Sequence, residues 1–396
     1  MAGHSPMNTT APATPEPITT PPMPSLVYDD TADELRTAVR RLTDRRSSPT
    51  QLIAFTANDS GYDAALWRTL ACDMGLAALL IPEEFGGAGA SAREVSVVME
   101  ELGRSLAPVP YLASAVFATS VLTASTGPVA TDVLRRLVDG AVAAVTVPAI
   151  AAPGSSRATV TATRHSIEER VSLSGSVSGV LALDCADVLL VPAGLDDERV
   201  VVLVDSHAPG ITVHTPVSAD LTRPIFDVSL DGVLGDMILR GQDATDALAA
   251  AATVAAAALA SEQVGVGDWA LATAVEYLTV RHQFGRPIGS YQSLRHRAAQ
   301  LWIDNQQSRA AAQYAAAAIA EKSTDVDAAV AVAQSYCSAT SLTAVEECLQ
   351  IHGGIGFTWE HPGHLYLERA FTSSVTLGTT EDHHRTLANL VNLPAA

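Results

Sequence analysis

Three groups of residues in this chain have types and spacings suited to chemistry. Arg281-His-Gln-Phe-Gly-Arg-Pro-Ile-Gly-Ser-Tyr-Gln, ending at Gln292, sets a guanidinium and the amides of Gln283 and Gln292 around a Phe284-Gly turn. A guanidinium stays charged and donates in pairs, which suits it to a diphosphate. A helix that simply ends at Gly285-Arg-Pro with a surface arginine would read the same way. Gln350-Ile-His-Gly-Gly-Ile-Gly is the second group. Glycines as close as Gly353 and Gly354 let a backbone approach a ligand and present N–H groups to phosphate oxygens, or else cap a helix. The third group is acidic: Glu262 beyond an Ala-rich run, and Glu381-Asp382 ahead of His383-His384. A carboxylate can accept a proton, but acids also pair helices and cap first turns.

The elements that must position these groups follow from pattern. Residues 1–28, rich in Pro and Thr without apolar periodicity, are expected to be a disordered tail. Helical spacing begins near Asp29, with Leu35, Val39 and Leu42, and returns at Leu66, Leu70 and Met74. Ser91 with Glu94 three residues on reads as a capping box, opening a helix that carries Val95, Val98, Met99 and Leu102 on one face. Residues 29–140 thus read as an N-terminal helical domain. Residues 141–240 hold short runs, mostly of β-branched residues, punctuated by Gly, Pro and Asp: around Val142, Ala158, Val188, Val200 and Phe226. They read as a small β-domain, a barrel or sandwich. Residues 241–396 return to helix: an Ala-rich one, a second through Tyr277, then roughly Gln292–Ala320, 325–349 and 362–377. The fold class is α+β, with a C-terminal four-helix bundle.

With that layout in hand, residues 277–292 and 350–362 closely resemble the C-terminal half of the acyl-CoA dehydrogenase family, and the likeness extends over roughly residues 30–392. The resemblance implies FAD as cofactor and an acyl-CoA thioester as substrate, oxidised to its α,β-unsaturated product. It implies that Arg281, Gln283, Phe284, Gln292, Gln350, Gly353 and Gly354 reach the FAD of a neighbouring subunit. Electrons would pass to an electron-transferring flavoprotein. Tyr366, Glu368 and Arg369 fall where the family has residues assigned to packing and ion pairing.

The departures from the family pattern are as informative as the matches. The usual catalytic carboxylate stands nine residues after the arginine matching Arg369 and is followed by Gly-Thr; that count lands on Gly378. The alternative family station, twenty-nine residues before Phe284, holds Ala255. Glu262 is a weak substitute. The segments that wrap the flavin ring are replaced by Val147-Pro-Ala-Ile-Ala-Ala-Pro-Gly-Ser-Ser and by the stretch 173–184, and no Trp lies between Trp67 and Trp269. The chain therefore resembles the base-lacking subunit of actinobacterial α2β2 dehydrogenases of steroid side-chain breakdown. There, a second dehydrogenase subunit supplies base and ring pocket. A self-sufficient enzyme with a displaced base, and a flavin-free scaffold or CoA-thioester binder, are the competing readings.

Composition sets outer bounds. A net charge of −19 argues against nucleic acid, which needs a Lys/Arg surplus. Cys72, Cys185, Cys337 and Cys348 lack metal-ligand spacing, so free core thiols and no metal are expected. The most apolar stretch, Ala247–Ala260, reads as a packed helix, too short to span a bilayer. Without a basic segment leading an apolar one, a cytoplasmic protein is expected.

Overall fold

The computed structural model describes residues 25–58, 61–154, 159–165 and 170–393. Most of the expected tail lies outside these. Ser25 and Tyr28 are inside and tied down: Arg93 donates to the Ser25 carbonyl and the Tyr28 hydroxyl to Ser96.

The N-terminal helices are α1 (Asp30–Arg46), α2 (Pro49–Thr56), α3 (Ala64–Arg68), α4 (Ala92–Ser105), α5 (Thr119–Leu122) and α6 (Pro128–Val138), with a π-helical segment Tyr111–Ala118 leading into α5. The capping box forms at α4: Ser91 accepts from the backbone while Glu94 reaches back to the Ser91 N–H at 2.8 Å.

Seven strands follow: β1 (Ala143–Val145), β2 (Val160–Arg164), β3 (Arg170–Leu181), β4 (Val188–Leu195), β5 (Glu198–Asp205), β6 (Ile211–His214) and β7 (Ile225–Arg240). β4 pairs with β2, β2 with β3, β3 with β7 and β7 with β5, and β5 returns to β4, closing a five-stranded barrel; β1 and β6 flank β4 and β7. The long apolar runs of β4 and β5 are explained by two cores rather than one. Leu189, Val191, Val200 and Val202 point into the barrel. Val188, Leu190, Val201 and Leu203 alternate with them and pack against the helices. With both faces covered, polar alternation disappears.

The C-terminal part comprises α7 (Gly241–Val280), a hairpin β8 (His282–Gln283) and β9 (Arg286–Pro287), α8 (Gln292–Ala320), α9 (Val326–His352), α10 (Gly363–Ser373) and α11 (Thr380–Leu390). Two helices were expected across 243–277; one continuous helix, about 60 Å long at 1.5 Å per residue, is found. No Pro interrupts it, and Ala255 to Val266 are buried on every side. By length and apolar composition α7 is long enough to cross a membrane, contrary to expectation, but about two-thirds of that window is packed inside the protein. It is the core helix of the fold.

α4 crosses α7 at backbone contact. A Cβ on Gly265 would stand 1.9 Å from the Glu100 carbonyl oxygen, and one on Gly103 would stand 2.1 Å from that of Glu262. Gly265→Ala should therefore force the helices apart and cost about 1–3 kcal/mol, checked by denaturant titration. The cysteines are all free, but only Cys337 and Cys348 are buried; Cys72 is exposed rather than in the core.

Candidate functional site

The first chemical group forms a projecting hairpin. α7 ends as Arg281 takes an extended conformation, its N–H still bonded to the Tyr277 carbonyl. Phe284 and Gly285 form the two-residue turn, both left-handed (φ 54° and 79°), the geometry that tight hairpins favour. Glycine adopts that geometry freely, whereas a phenylalanine there costs roughly 1–2 kcal/mol. Here the ring is 90 % exposed, so its own fold gains nothing from burying it. Arg286 stacks on the Tyr291 ring at 3.9 Å. The Arg281 side chain makes no ion pair among the described residues. Gln283 and Gln292 are exposed beside it, Gln292 at the start of α8.

The second group forms a turn at the same end of the bundle. Gly353 caps α9 at φ 62°, and a short 3-10 turn runs on to Phe357. Nothing lies within 4 Å of where a Cβ would stand on Gly353 or Gly354, and Gln350 is exposed on the last turn of α9. A row of rings joins the two groups. Tyr277 stacks on His352 (4.3 Å), His352 meets His361 (4.5 Å), and His361 faces Trp269 (6.3 Å), which stacks on Tyr366 at 3.4 Å. Phe357 and Trp359, with Trp302 and Ile303 on α8, are further large apolar side chains left in water.

Burial, with His352 and His364 beside it, pushes His361 down from 6.5 to about 4. Above pH 6.5 neither folded nor unfolded chain protonates this ring. Between pH 6.5 and about 4 the unfolded chain takes a proton the folded one refuses, so stability falls with acid across that window. His361→Phe should flatten this part of the profile in denaturation curves taken at several pH values.

The positions where a base was sought lie elsewhere, between barrel and bundle. Gly378 is buried at φ 103°; a Cβ there would stand 2.9 Å from that of Ala152 and 3.1 Å from His383 Nε2. Its neighbour Leu377, at φ 58°, lines a cavity of about 20 Å³ together with Ala255, Phe117, Val147 and Leu181. That is room for one water, and no carboxylate lines it.

Glu262 is 4 % exposed and fully engaged. Arg223 donates to it at 2.9 Å, and Arg369 lies 3.4 Å away. Arg369 also grips Asp220 at 2.6 Å and Thr222 at 2.6 Å, while Arg223 reaches Ser373. Burial pushes Asp220 up, but Arg369 and Arg223 outweigh it and hold the carboxyl below its usual range. Two arginines and two carboxylates thus neutralise one another where barrel, α7 and α10 meet. Glu368 stands apart from this network: burial and nearby Asp220 push it up to about 7, and its Oε2 has no partner.

Asp382 closes a capping box with Thr379 and pairs with Arg385. His383, next to the acids that cap α11, is buried, with burial lowering its pKa and Nε2 left without a partner among the described residues. Only the packing of α11 beneath residues 377–378, invisible in local sequence, brings it there.

The replaced flavin-side segments meet at this point too. The Ala149 N–H donates to the Gly179 carbonyl (2.8 Å), and the Leu377 N–H donates to the Ala149 carbonyl (2.6 Å). Ser155 and Ser156, the end of the first segment, lie outside the described residues. For FAD the fit is therefore divided. The unpaired guanidinium of Arg281 and the open glycine turn suit a diphosphate approaching from outside. The crevice at Ala255 and Leu377, about 20 Å³, does not admit a flavin ring.

A helical domain, a small barrel and a helical bundle, with an arginine hairpin beside a glycine turn, define a class. The chain belongs to the acyl-CoA dehydrogenase family: residues 29–141 match its N-terminal domain and residues 245–391 its C-terminal domain. It is an oxidoreductase of that family, as the resemblance implied. Among curated relatives it is similar to the acyl-CoA dehydrogenase IpdE2 of Mycolicibacterium smegmatis, 31 % identical over 353 residues, 89 % of this chain and 96 % of that one. IpdE2 of Mycobacterium tuberculosis is 32 % identical over 90 % of this chain and 96 % of its own. Among solved structures, a Tcur3481–Tcur3483 steroid ACAD variant is 30 % identical with a TM-score of 0.81, covering 92 % of this chain and 98 % of that one. The ChsE4–ChsE5 complex from M. tuberculosis is 27 % identical with a TM-score of 0.83, over 94 % and 100 %.

Proposed function

We propose that this chain works in the FAD-dependent α,β-desaturation of an acyl-CoA thioester as the subunit that completes a partner's FAD site. The observation that carries this reading is the contrast between its two ends. The hairpin and turn bearing Arg281, Gln283, Phe284, Gln292, Gln350, Gly353 and Gly354 are presented outward. Meanwhile the crevice at Ala255 and Leu377 is apolar and shut. FAD, when bound, supplies the hydride acceptor. On this side of the assembly Arg281 neutralises its diphosphate, the glycine-turn N–H groups present donors to it, and the exposed Phe284 covers it from water. The base comes from the partner, a second dehydrogenase subunit in a heterotetramer. The electron acceptor is an electron-transferring flavoprotein, and the setting is cytoplasmic.

Two further observations support the reading. One solved relative is named as a complex of two different chains and another as a steroid dehydrogenase, which favours a steroid-derived acyl-CoA. The ion pairs around Glu262 oppose a self-sufficient enzyme, because two arginines already occupy the carboxylate that would have to reach a substrate. Turnover of a steroid side-chain acyl-CoA by the chain alone and co-expressed with a dehydrogenase subunit tests the proposal. Activity only in the pair supports it; full activity of the lone chain overturns it.

A further inference from the structure

We propose that Leu377 is the plug that closes this chain's own barrel–bundle crevice, and that one side chain there decides whether the crevice takes a ligand. This inference rests on the reading above, that the chain holds no complete site of its own.

Leu377 meets the crevice from the bundle side, ahead of α11, and is 4 % exposed. It lines two adjoining cavities. One holds Ala255 and Leu181; the other, also about 20 Å³, is bounded by Ala152, Leu248 and Ala252. The side chain therefore stands between two voids that its removal would join. Beyond them a larger cavity of about 220 Å³, sharing Ala152, Gly154 and Ala249 with the second, carries the only polar side chains on this path among the described lining residues apart from Arg199: Thr253, Asp327, His383 and Thr386. The path is thus apolar inside and polar at its wide end.

The backbone at 377 holds the seam closed. Its N–H donates to Ala149, and the Ala149 N–H donates to Gly179 on β3, so one residue ties bundle to barrel. Leucine is poorly suited to this conformation at φ 58°, which glycine adopts without strain. An unfavourable backbone held in a packed seam is expected where the side chain serves a purpose. Gly378, by contrast, offers no such control, since its missing side chain would point at Ala152 and His383.

The joined void would be elongated and apolar along its length, with hydrogen-bonding groups at one end. It suits a neutral thioester with an aliphatic tail and an amide-bearing head. S-hexanoylpantetheine is such a probe. Titrated against the full-length chain alone, Leu377→Gly should bind it at least tenfold more tightly than the native chain. Leu173→Ala, which opens a void inside the barrel instead, should show no gain. Leu377→Ala carries the same expectation if the glycine variant is unstable. Equal affinity of native and Leu377 variants, or an equal gain in Leu173→Ala, overturns the plug. A native lone chain that already carries its own FAD would instead overturn the underlying reading, so the two failures are distinct.

Discussion

Arg281→Ala is expected to weaken FAD retention by the complex containing this chain by roughly ten- to a hundredfold. A charge-assisted hydrogen bond is worth about 1.5–3 kcal/mol, and every 1.4 kcal/mol is a factor of ten. The structure sharpens the expectation because Arg281 is exposed and makes no ion pair among the described residues, so its loss leaves no buried partner there. Its fold should be as stable as before. Arg281→Lys should recover only part of the loss, since a point charge cannot reproduce a guanidinium's paired donors. Flavin-to-protein ratio after gel filtration of the co-expressed complex reads this directly. Undiminished flavin in the alanine variant would contradict a contact across the subunit boundary.

The second large effect lies in stability. Glu262→Gln removes one carboxylate from a buried set of two arginines and two acids, leaving Arg223 and Arg369 to share Asp220. Breaking a buried pair in this way costs about 3–5 kcal/mol. The unfolding midpoint should fall accordingly, while turnover per bound flavin changes little. A catalytic base behaves in the opposite manner, losing roughly 10²–10⁴ in rate with a modest change in stability. Denaturation and turnover measured on the same preparation separate the two roles of Glu262.

Much of the architecture was legible because its signals are local. The Ser91–Glu94 capping box, the valine-rich runs of β4 and β5 and the Arg281 block each carry their meaning within a dozen residues. Other elements were hidden for physical reasons. β3 has serines and glycines at positions where its register slips against β7, so its strand pattern is diluted. α7 was divided in two because a helix buried on all sides shows no amphipathic period. The partners of Glu262 come from β-domain and α10, far away in sequence, so pairing could be expected there but not located. Counting from Arg369 pointed to Gly378. The structure shows that the residue before it, Leu377, faces Ala255 across the cavity, and it is Leu377 that is followed by Gly-Thr, whereas Gly378 is followed by Thr379-Thr380. Two consecutive left-handed residues turn the chain there, and a one-residue difference in register exchanges a side chain facing Ala255 for one directed at Ala152 and His383.

The central claim is that this chain completes another subunit's FAD site and holds no flavin itself. The flavin spectrum and stoichiometry of the purified chain, alone and co-expressed with a partner dehydrogenase subunit, test it most directly. The account predicts a colourless lone chain and a yellow complex with about half a FAD per chain, one for each pair of subunits. One FAD per chain in the lone protein, bleached by an acyl-CoA, would contradict it.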